Sequence, residues 1–386
     1  MSDRSPLAPM ARFGRLVASD LRDVTDDLAA LDSAGFWAVA ADFDGRTVCA
    51  RFGDVREAPR TAPAVPWRGP RPSAWTSSMD RAVYERGVRI IRDRIATGEV
   101  YQVNLCRVLT APLAAAPANS AADPTDPVSP HAPAGPDIDA LAAVLARGNP
   151  APYAGTIRLP AHGVEIATAS PELFLRRDGG TVESGPIKGT ARTADAFLAK
   201  DHAENVMIVD LVRNDLGRVC VPGTVTVPAL CAVEPHPGLV HLVSTVRGEL
   251  RPGTRWPELF DAVFPPGSVT GAPKLSALRI IDELETAPRG PYCGAIGWVD
   301  ADRRTAELAV GIRTFWIDRT VLGGPVLRFG AGAGITWGSD PHGEWAETEL
   351  KAARLLAVAS EPEEAEDVSG ASGAGGAGRT DGRTLR

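Results

Sequence analysis

Lysine is scarce in this chain. Only four lysines, Lys188, Lys200, Lys274 and Lys351, stand among 41 basic residues in a sequence of 386. The rest are arginine, whose guanidinium keeps its proton in a protein. A partly desolvated amine can lose its own, so the rare lysines are where a nucleophile is to be sought. Long apolar runs are missing too. None reaches the roughly 18 residues of a membrane-spanning helix, and the opening stretch MSDRSPLAPMARFGRLVASD lacks the apolar centre of an export signal. Net positive charge is absent. At −7, the chain is a poor match for nucleic acid or a membrane surface. Five cysteines (Cys49, Cys106, Cys220, Cys231, Cys293) form no CxxC or CxxH pair, which disfavours a structural metal framework and predicts reduced, buried thiols in a cytoplasmic protein. What is present, 44% hydrophobic and 23% charged residues, is the composition of a soluble globular protein, and the length suits one large domain or two.

Turn residues divide the chain. Two β-rich runs, 36–43 and 47–55, joined by Asp44-Gly45, predict a hairpin. Before them a short helix is expected over 20–32, and residues 56–75, rich in Pro and Arg, read as a linker. Residues 1–75 therefore form a short N-terminal segment containing strands. Ser77 and Asp80 predict a capping box, opening a helix with apolar Val83, Ile90, Ile91 and Ile95 that stops near Gly98. Residues 112–137, PLAAAPANSAADPTDPVSPHAPAGPD, are too rich in Pro and Ala to pack, and read as a flexible insertion in a domain running from 76 to 360. Strands are expected at 100–109, 153–159, 164–169, 173–177, 181–183, 225–227, 230–234, 239–249, 292–299, 306–316 and 326–335. Helices are expected at 138–147, 195–216, 257–264, 274–284 and 343–359. Strands adjacent in pairs between helices predict an α+β fold with antiparallel sheets rather than a doubly wound one. Residues 361–386, acidic and then rich in Gly, Ala and Ser, are expected to be disordered.

Several groupings suit chemistry. Lys188 lies in Ser184-Gly185-Pro186-Ile187-Lys188-Gly189-Thr190, a tight loop or strand end; it is either an ordinary turn lysine or a nucleophile. Asp201 and Glu204 share one helix face, as do Glu344 and Glu347 with Lys351 one turn on. If the two faces met, four carboxylates would need a cation, and hard oxygen ligands suit Mg²⁺; if they do not meet, they are solvated helix faces. The loop 266–274, with Ser268, Thr270 and Lys274, opens a helix and offers an anion its backbone N–H groups. Gly330-Ala331-Gly332-Ala333-Gly334 provides either close strand packing or a backbone that approaches a carboxylate. Arg313, inside a strand-like run, makes a structural ion pair or forks onto a substrate carboxylate. His241 reads as a structural histidine, and Glu172 as a turn acid or a general acid. Neither Gly-rich stretch has Rossmann or Walker spacing.

Taken together, GEVYQVNL (98–105), SPELFL (170–175), PIKGTAR (186–192), KDHAENVMIVDLVRNDLGRV (200–219), HLVSTVRGEL (241–250), GSVTGAPK (267–274), GPYCGAIGWV (290–299), GIRT (311–314), GAGAGI (330–335) and EWAETELKA (344–352) resemble the chorismate-utilising enzymes of the anthranilate synthase component I family. The resemblance runs from about residue 78 to 359 apart from the insertion. It implies a four-layer α/β/β/α sandwich of orthogonally packed antiparallel sheets with the active site between them. It further implies Mg²⁺ held chiefly by Glu204 and Glu347, with Asp201 and Glu344 supporting, Asp201 standing where the family commonly has glutamate. Arg313, Lys351, Tyr292 and the backbone of Gly332, Ala333 and Gly334 would hold the carboxylates of chorismate. Gln102, Thr190, Ser268 and Thr270 would line the same site, Glu172 would be the general acid, and His241 would lie near the ring.

Two positions sort the branches of that family. Members that add water carry a lysine where this chain has Gln102, so water is not the expected nucleophile. Anthranilate synthases typically read PIAGT; PIKGT, with Lys188, resembles the branch that makes 4-amino-4-deoxychorismate. There the amine adds at C2 as the C4 hydroxyl leaves, and ammonia then enters at C4 and expels it, on the way to 4-aminobenzoate and folate. Lys188 must be neutral to attack, so burial beside cations is expected to lower its pKa. The region before residue 78 is shorter than in the family, so no tryptophan feedback is expected. Pro266 replaces a common glycine. None of the five cysteines lies in a Gly-Cys-Gly elbow, so ammonia is expected from a separate glutamine amidotransferase subunit or from solution.

Overall fold

Paired strands between helices are what the fold displays. The structure is a computed structural model that describes residues 8–60, 66–113, 136–191, 193–197, 199–236 and 239–360. Most of the insertion at 112–137 and the whole tail from 361 lie outside the described residues. The N-terminal part holds β1 (Met10–Phe13), β2 (Leu16–Thr25), β3 (Phe36–Ala41), β4 (Thr47–Glu57) and β5 (Thr76–Ser77), then α1 (Arg81–Ala96) and β6 (Gln102–Pro112). The middle holds α2 (Ile138–Gly148), β7 (Tyr153–Leu159), β8 (Val164–Ser170), β9 (Leu173–Asp178), β10 (Thr181–Gly185), β11 (Ile187–Ala191), α3 (Ala199–Gly217), β12 (Thr226–His236) and β13 (Leu239–Glu249). The remainder is α4 (Trp256–Val263), β14 (Gly271–Ala272), α5 (Lys274–Leu284), β15 (Ala295–Asp300), β16 (Thr305–Val310), β17 (Thr314–Asp318), β18 (Val326–Ile335) and α6 (Pro341–Ala359).

The eighteen strands form one continuous antiparallel sheet. In one half, β6 pairs with β18, then β17, β8 and β7 follow. The other half runs β2, β4, β3, β15, β16, β9, β10 and β13, with β11 and β12 both on β13. The short β1 pairs with β7 and with β2 and so joins the halves. β3, FWAVAA, is buried at every position, as a strand covered on both faces must be. One core contains Leu105 and Ile157 from the first half, Val39 and Leu175 from the second, and Val209 and Leu259 from α3 and α4. A separate core packs Phe315, Leu327 and Phe329 under Leu141 of α2 and Leu355 of α6. Helices thus cover the outer faces while the halves share an interior.

Several expectations change. The helix expected over 20–32 is replaced by β2 and a single 3-10 turn at Leu28–Asp32. Pairing with β1 and β4 overrides local preference there, with a register shift at Leu21 and Asp23. Asp80, not Ser77, caps α1, accepting from Val83 N at 2.8 Å, while the Ser77 hydroxyl donates to Met79 O at 2.6 Å. The strand expected at 306–316 is two strands broken at Gly311–Arg313, where Arg313 takes φ 51°. The break carries the chain from one half of the sheet to the other, because β16 pairs with β15 and β9 whereas β17 pairs with β8 and β18. Of the two forms expected around Lys188, a tight loop or a strand end, the strand is present: Lys188 is the second residue of β11. No helix among the described residues is long and apolar enough to cross a membrane.

Candidate active site

A second crossing between the halves lies at Ser170-Pro171-Glu172, between β8 and β9, and it is stitched to the first. Val310 N donates to Glu172 O at 3.0 Å and the Ser170 hydroxyl donates to Val310 O at 2.7 Å. Glu172 is 4% exposed. Burial pushes its carboxyl up to about 7, against the lowering effects of a hydrogen bond from the Ser268 side chain, the charge of Lys188 and the backbone of Ile187. It lines a cavity of about 20 Å³ together with apolar Phe174, Leu216 and Val263 and polar Ser184 and Asp215.

Lys188 approaches the same spot from β11. The β11–β13 ladder shifts register between Ile187 and Thr190, and Gly189 takes φ 86°, so a bulge aims the side chain out of the ladder. Its stem keeps partial exposure, but the amine end is enclosed and Nζ donates to Ser268 O at 3.0 Å. Burial lowers its pKa, opposed by Glu204 and Glu172, reinforced by Lys351 and opposed again by Glu347. Ser268 therefore serves two groups: its carbonyl takes the amine, and its side chain meets the acid.

β18 forms the facing wall. Gly332, Ala333 and Gly334 pair with Cys106, Leu105 and Asn104 of β6. A Cβ on Gly334 would sit 2.4 Å from Gln102 Nε2 and 3.6 Å from Lys188 Nζ, so the glycine leaves the room that both side chains occupy. Gln102 is 1% exposed, and its Oε1 finds no partner among the described residues. Lys351 donates to Gly332 O at 3.1 Å and pairs with Glu347 at 2.6 Å. Tyr292 is buried, and burial raises its phenol pKa well above the ordinary value. Its ring fills the space above Gly330, where a Cβ would fall 2.0 Å from Cγ. Gly330→Ala is expected to cost about 1–3 kcal/mol in a denaturant titration by forcing this ring aside.

The charges of the two acid faces reach one another. Glu344 is raised by burial and by Glu347 and Glu204, against Ser339 and Lys351, so acids of α6 feel an acid of α3. Asp201 Cβ lies 3.2 Å from where a Cβ on Gly189 would stand, placing it under the Lys188 bulge. Yet no group of three or more His, Cys, Asp or Glu among the described residues is arranged to hold a metal ion. Asn205, which the sequence reading passed over, anchors this end of α3. Its Nδ2 donates to Leu242 O at 2.9 Å and its Oδ1 accepts from the Ser244 hydroxyl. The signal was a polar residue at a position that α3 buries.

The other predicted residues differ in their settings. His241 is 1% exposed on β13, opposite Thr190 of β11, whose backbone alone is described. The Thr270 hydroxyl donates within its own loop to Pro266 O at 3.1 Å and Gly267 O at 3.3 Å. Lys274 is committed to Asp215 at 2.7 Å. The Arg313 guanidinium makes no hydrogen bond or ion pair with another described residue, while the backbone carbonyl accepts from Ala169 N at 3.0 Å. Burial lowers its pKa, and the charge that adds to that effect is Arg354, another cation. A half-buried guanidinium of this kind suits an anion.

The chorismate binding enzyme family matches residues 24–357, most of the chain. The chain belongs to this family. Within it, the chain is 36% identical over 337 residues to aminodeoxychorismate synthase component 1 of Salmonella typhimurium, covering 83% of this chain and 68% of the relative. It is also 36% identical over 339 residues to anthranilate synthase component 1 of Streptomyces coelicolor, covering 82% of this chain and 61% of that one. The fold is that of solved family members. Anthranilate synthase component I from Streptococcus pneumoniae superposes with a TM-score of 0.65 over 92% of this chain and 82% of its own, at 23% identity. As a chorismate-binding enzyme the protein has the α+β antiparallel architecture that the strand pattern predicts.

Proposed function

We propose that this protein converts chorismate and ammonia to 4-amino-4-deoxychorismate. The observation that carries the reading is the meeting at Ser268 of a buried amine with a lowered pKa and a carboxyl raised to about 7. Such a pair is poised as nucleophile and acid near neutral pH. Neutral Lys188 forms a C–N bond at C2, the ring double bonds shift, and the C4–O bond breaks as Glu172 supplies the proton that lets the hydroxyl leave as water. Ammonia then bonds to C4, the double bonds return, and the C2–N bond to Lys188 breaks, restoring the lysine. Arg313, Lys351 and the β18 backbone hold the substrate carboxylates, Tyr292 supports that wall, and Gln102 and His241 line the site. The 36% identity to aminodeoxychorismate synthase component 1 supports this branch.

The carboxylates of Glu204 and Glu347, with Glu344 and Asp201 supporting, suit Mg²⁺ as hard oxygen donors, water completing the shell. The crowding that raises Glu344 is the kind a cation relieves. An ion held by these residues would supply positive charge against a ring carboxylate. Ammonia comes from a separate glutamine amidotransferase, a reading supported by relatives named as component 1 and by the lack of a Gly-Cys-Gly elbow around any of the five cysteines. The product feeds 4-aminobenzoate and folate formation.

A second reading, anthranilate formation, is favoured by the equally identical relative from Streptomyces coelicolor. Chorismate, MgCl₂ and ammonium incubated with the protein separate the two. The expected product, identified by mass and by conversion with a pyruvate-eliminating lyase, is 4-amino-4-deoxychorismate. Fluorescent anthranilate would overturn the first reading, and turnover undiminished by a chelator would overturn the metal assignment.

A further inference from the structure

An ion pair beneath the Ser268 loop is not used by the chemistry above. Glu285 is the C-cap of α5, and Arg289 follows four residues later, its side chain 1% exposed. Arg289 Nε donates to Glu285 Oε2 at 2.8 Å and Nη2 to Oε1 at 2.6 Å, a fork on a carboxylate. The same guanidinium donates from Nη1 to Val269 O at 2.8 Å and from Nη2 to Asn104 O at 2.7 Å, and it lies 4.1 Å over the Phe43 ring. Glu285 Oε1 in turn accepts from Cys106 N at 2.8 Å. One planar cation therefore ties the end of α5, the 267–270 turn and β6 together.

Both segments it grips adjoin the site. Val269 follows Ser268, which meets Lys188 and Glu172. Asn104 lies two residues from Gln102 and pairs across to Gly334. Lysine, a point charge with three donors, cannot make this set of contacts in one plane. Stability alone is a weak reason for such a pair, since well-packed apolar residues often replace a buried ion pair without loss.

We propose that Arg289, oriented by Glu285, is a positioning residue that fixes where Ser268 presents its carbonyl to Lys188 and its side chain to Glu172. The inference rests on the reading of Lys188 and Glu172 as nucleophile and acid. Removing the pin lets the turn drift, and misplacement on the scale of an ångström costs on the order of a hundredfold in turnover.

The test uses Arg289→Met and, because a lone buried Glu285 can prevent folding, the double variant Arg289→Met/Glu285→Gln, which leaves no orphan charge. Two readouts are taken on the full chain. In the first, kcat for amination of chorismate is expected to fall on the order of a hundredfold, with KM held within about twofold. The second is independent of turnover: brief acetic anhydride labelling at neutral pH, read by peptide mass spectrometry as the ratio of Lys188 to Lys351. That ratio is expected to rise several-fold as the enclosed amine loses its anchor, whereas Leu141→Ala in the outer core leaves it at the parental value. A folded double variant with parental kcat overturns the proposal. So does a fall in kcat with an unchanged labelling ratio, which marks loss of active molecules rather than of position. If the parent fails to aminate chorismate, the functional reading falls, and the labelling ratio alone then decides the positioning role.

Discussion

Lys188→Ala is expected to reduce amination of chorismate by at least about a thousandfold, as removal of a nucleophile does elsewhere. Two of the other three lysines are committed elsewhere, Lys274 to Asp215 and Lys351 to Glu347. Neither has the setting of Lys188, whose amine is lowered chiefly by burial. Mass analysis should also find a chorismate-derived adduct on the peptide containing Lys188 when the parent is quenched without ammonia, and no adduct on the variant. Near-parental turnover by Lys188→Ala would show that ammonia attacks the ring directly and that no covalent step exists.

The second large effect is expected at Glu172. Glu172→Gln should lower kcat on the order of 10²- to 10⁴-fold, the contribution of a positioned acid, and stabilise the fold at alkaline pH. The sign follows from the raised carboxyl. Below about 4.5 the group is protonated in both folded and unfolded chains and costs nothing. As pH rises toward about 7 the unfolded chain releases the proton while the folded chain retains it, so stability falls. Above that the full cost, on the order of 3 kcal/mol, persists. Glutamine escapes it, so the variant should be more resistant to denaturant than the parent at pH 8 and equal to it near pH 4. For turnover the same titration gives the parent an alkaline limb near 7, where the acid loses its proton. Lys188 must be neutral to attack, and burial shifts its titration downward. Equal stability of parent and variant at pH 8 would contradict the buried, protonated carboxyl.

Much of this was legible in residue patterns, and the exceptions have physical causes. The hairpin at Asp44-Gly45 and α2 were readable because turn residues and apolar period coincide there. Scarcity marked Lys188, and the spacing of Glu344, Glu347 and Lys351 marked one face of α6. β2 escaped because its partners, β1 and β4, decide its shape rather than its own ten residues. Arg313 was read inside a strand because nothing local announces a φ of 51°; the break exists to change sheet halves. Ser268 matters as much through its backbone carbonyl as through its hydroxyl, and residue type is silent about a carbonyl. Arg289 and Glu285 do carry a local mark, a glutamate and an arginine four apart, but that mark is common on exposed helices and gives no hint of burial.

The short strand β1 has a consequence for how the chain reaches this state. It links the two halves of the sheet by pairing Met10 with Arg158, while β3 waits for β15, which begins at Ala295. The partner of β1 follows about 150 residues later, and that of β3 emerges only when most of the polypeptide has left the ribosome. Assembly is therefore dominated by distant contacts and should be slow. During that interval the early hairpin of β3 and β4 presents raw apolar edges, which makes nascent chains the stage most exposed to self-association.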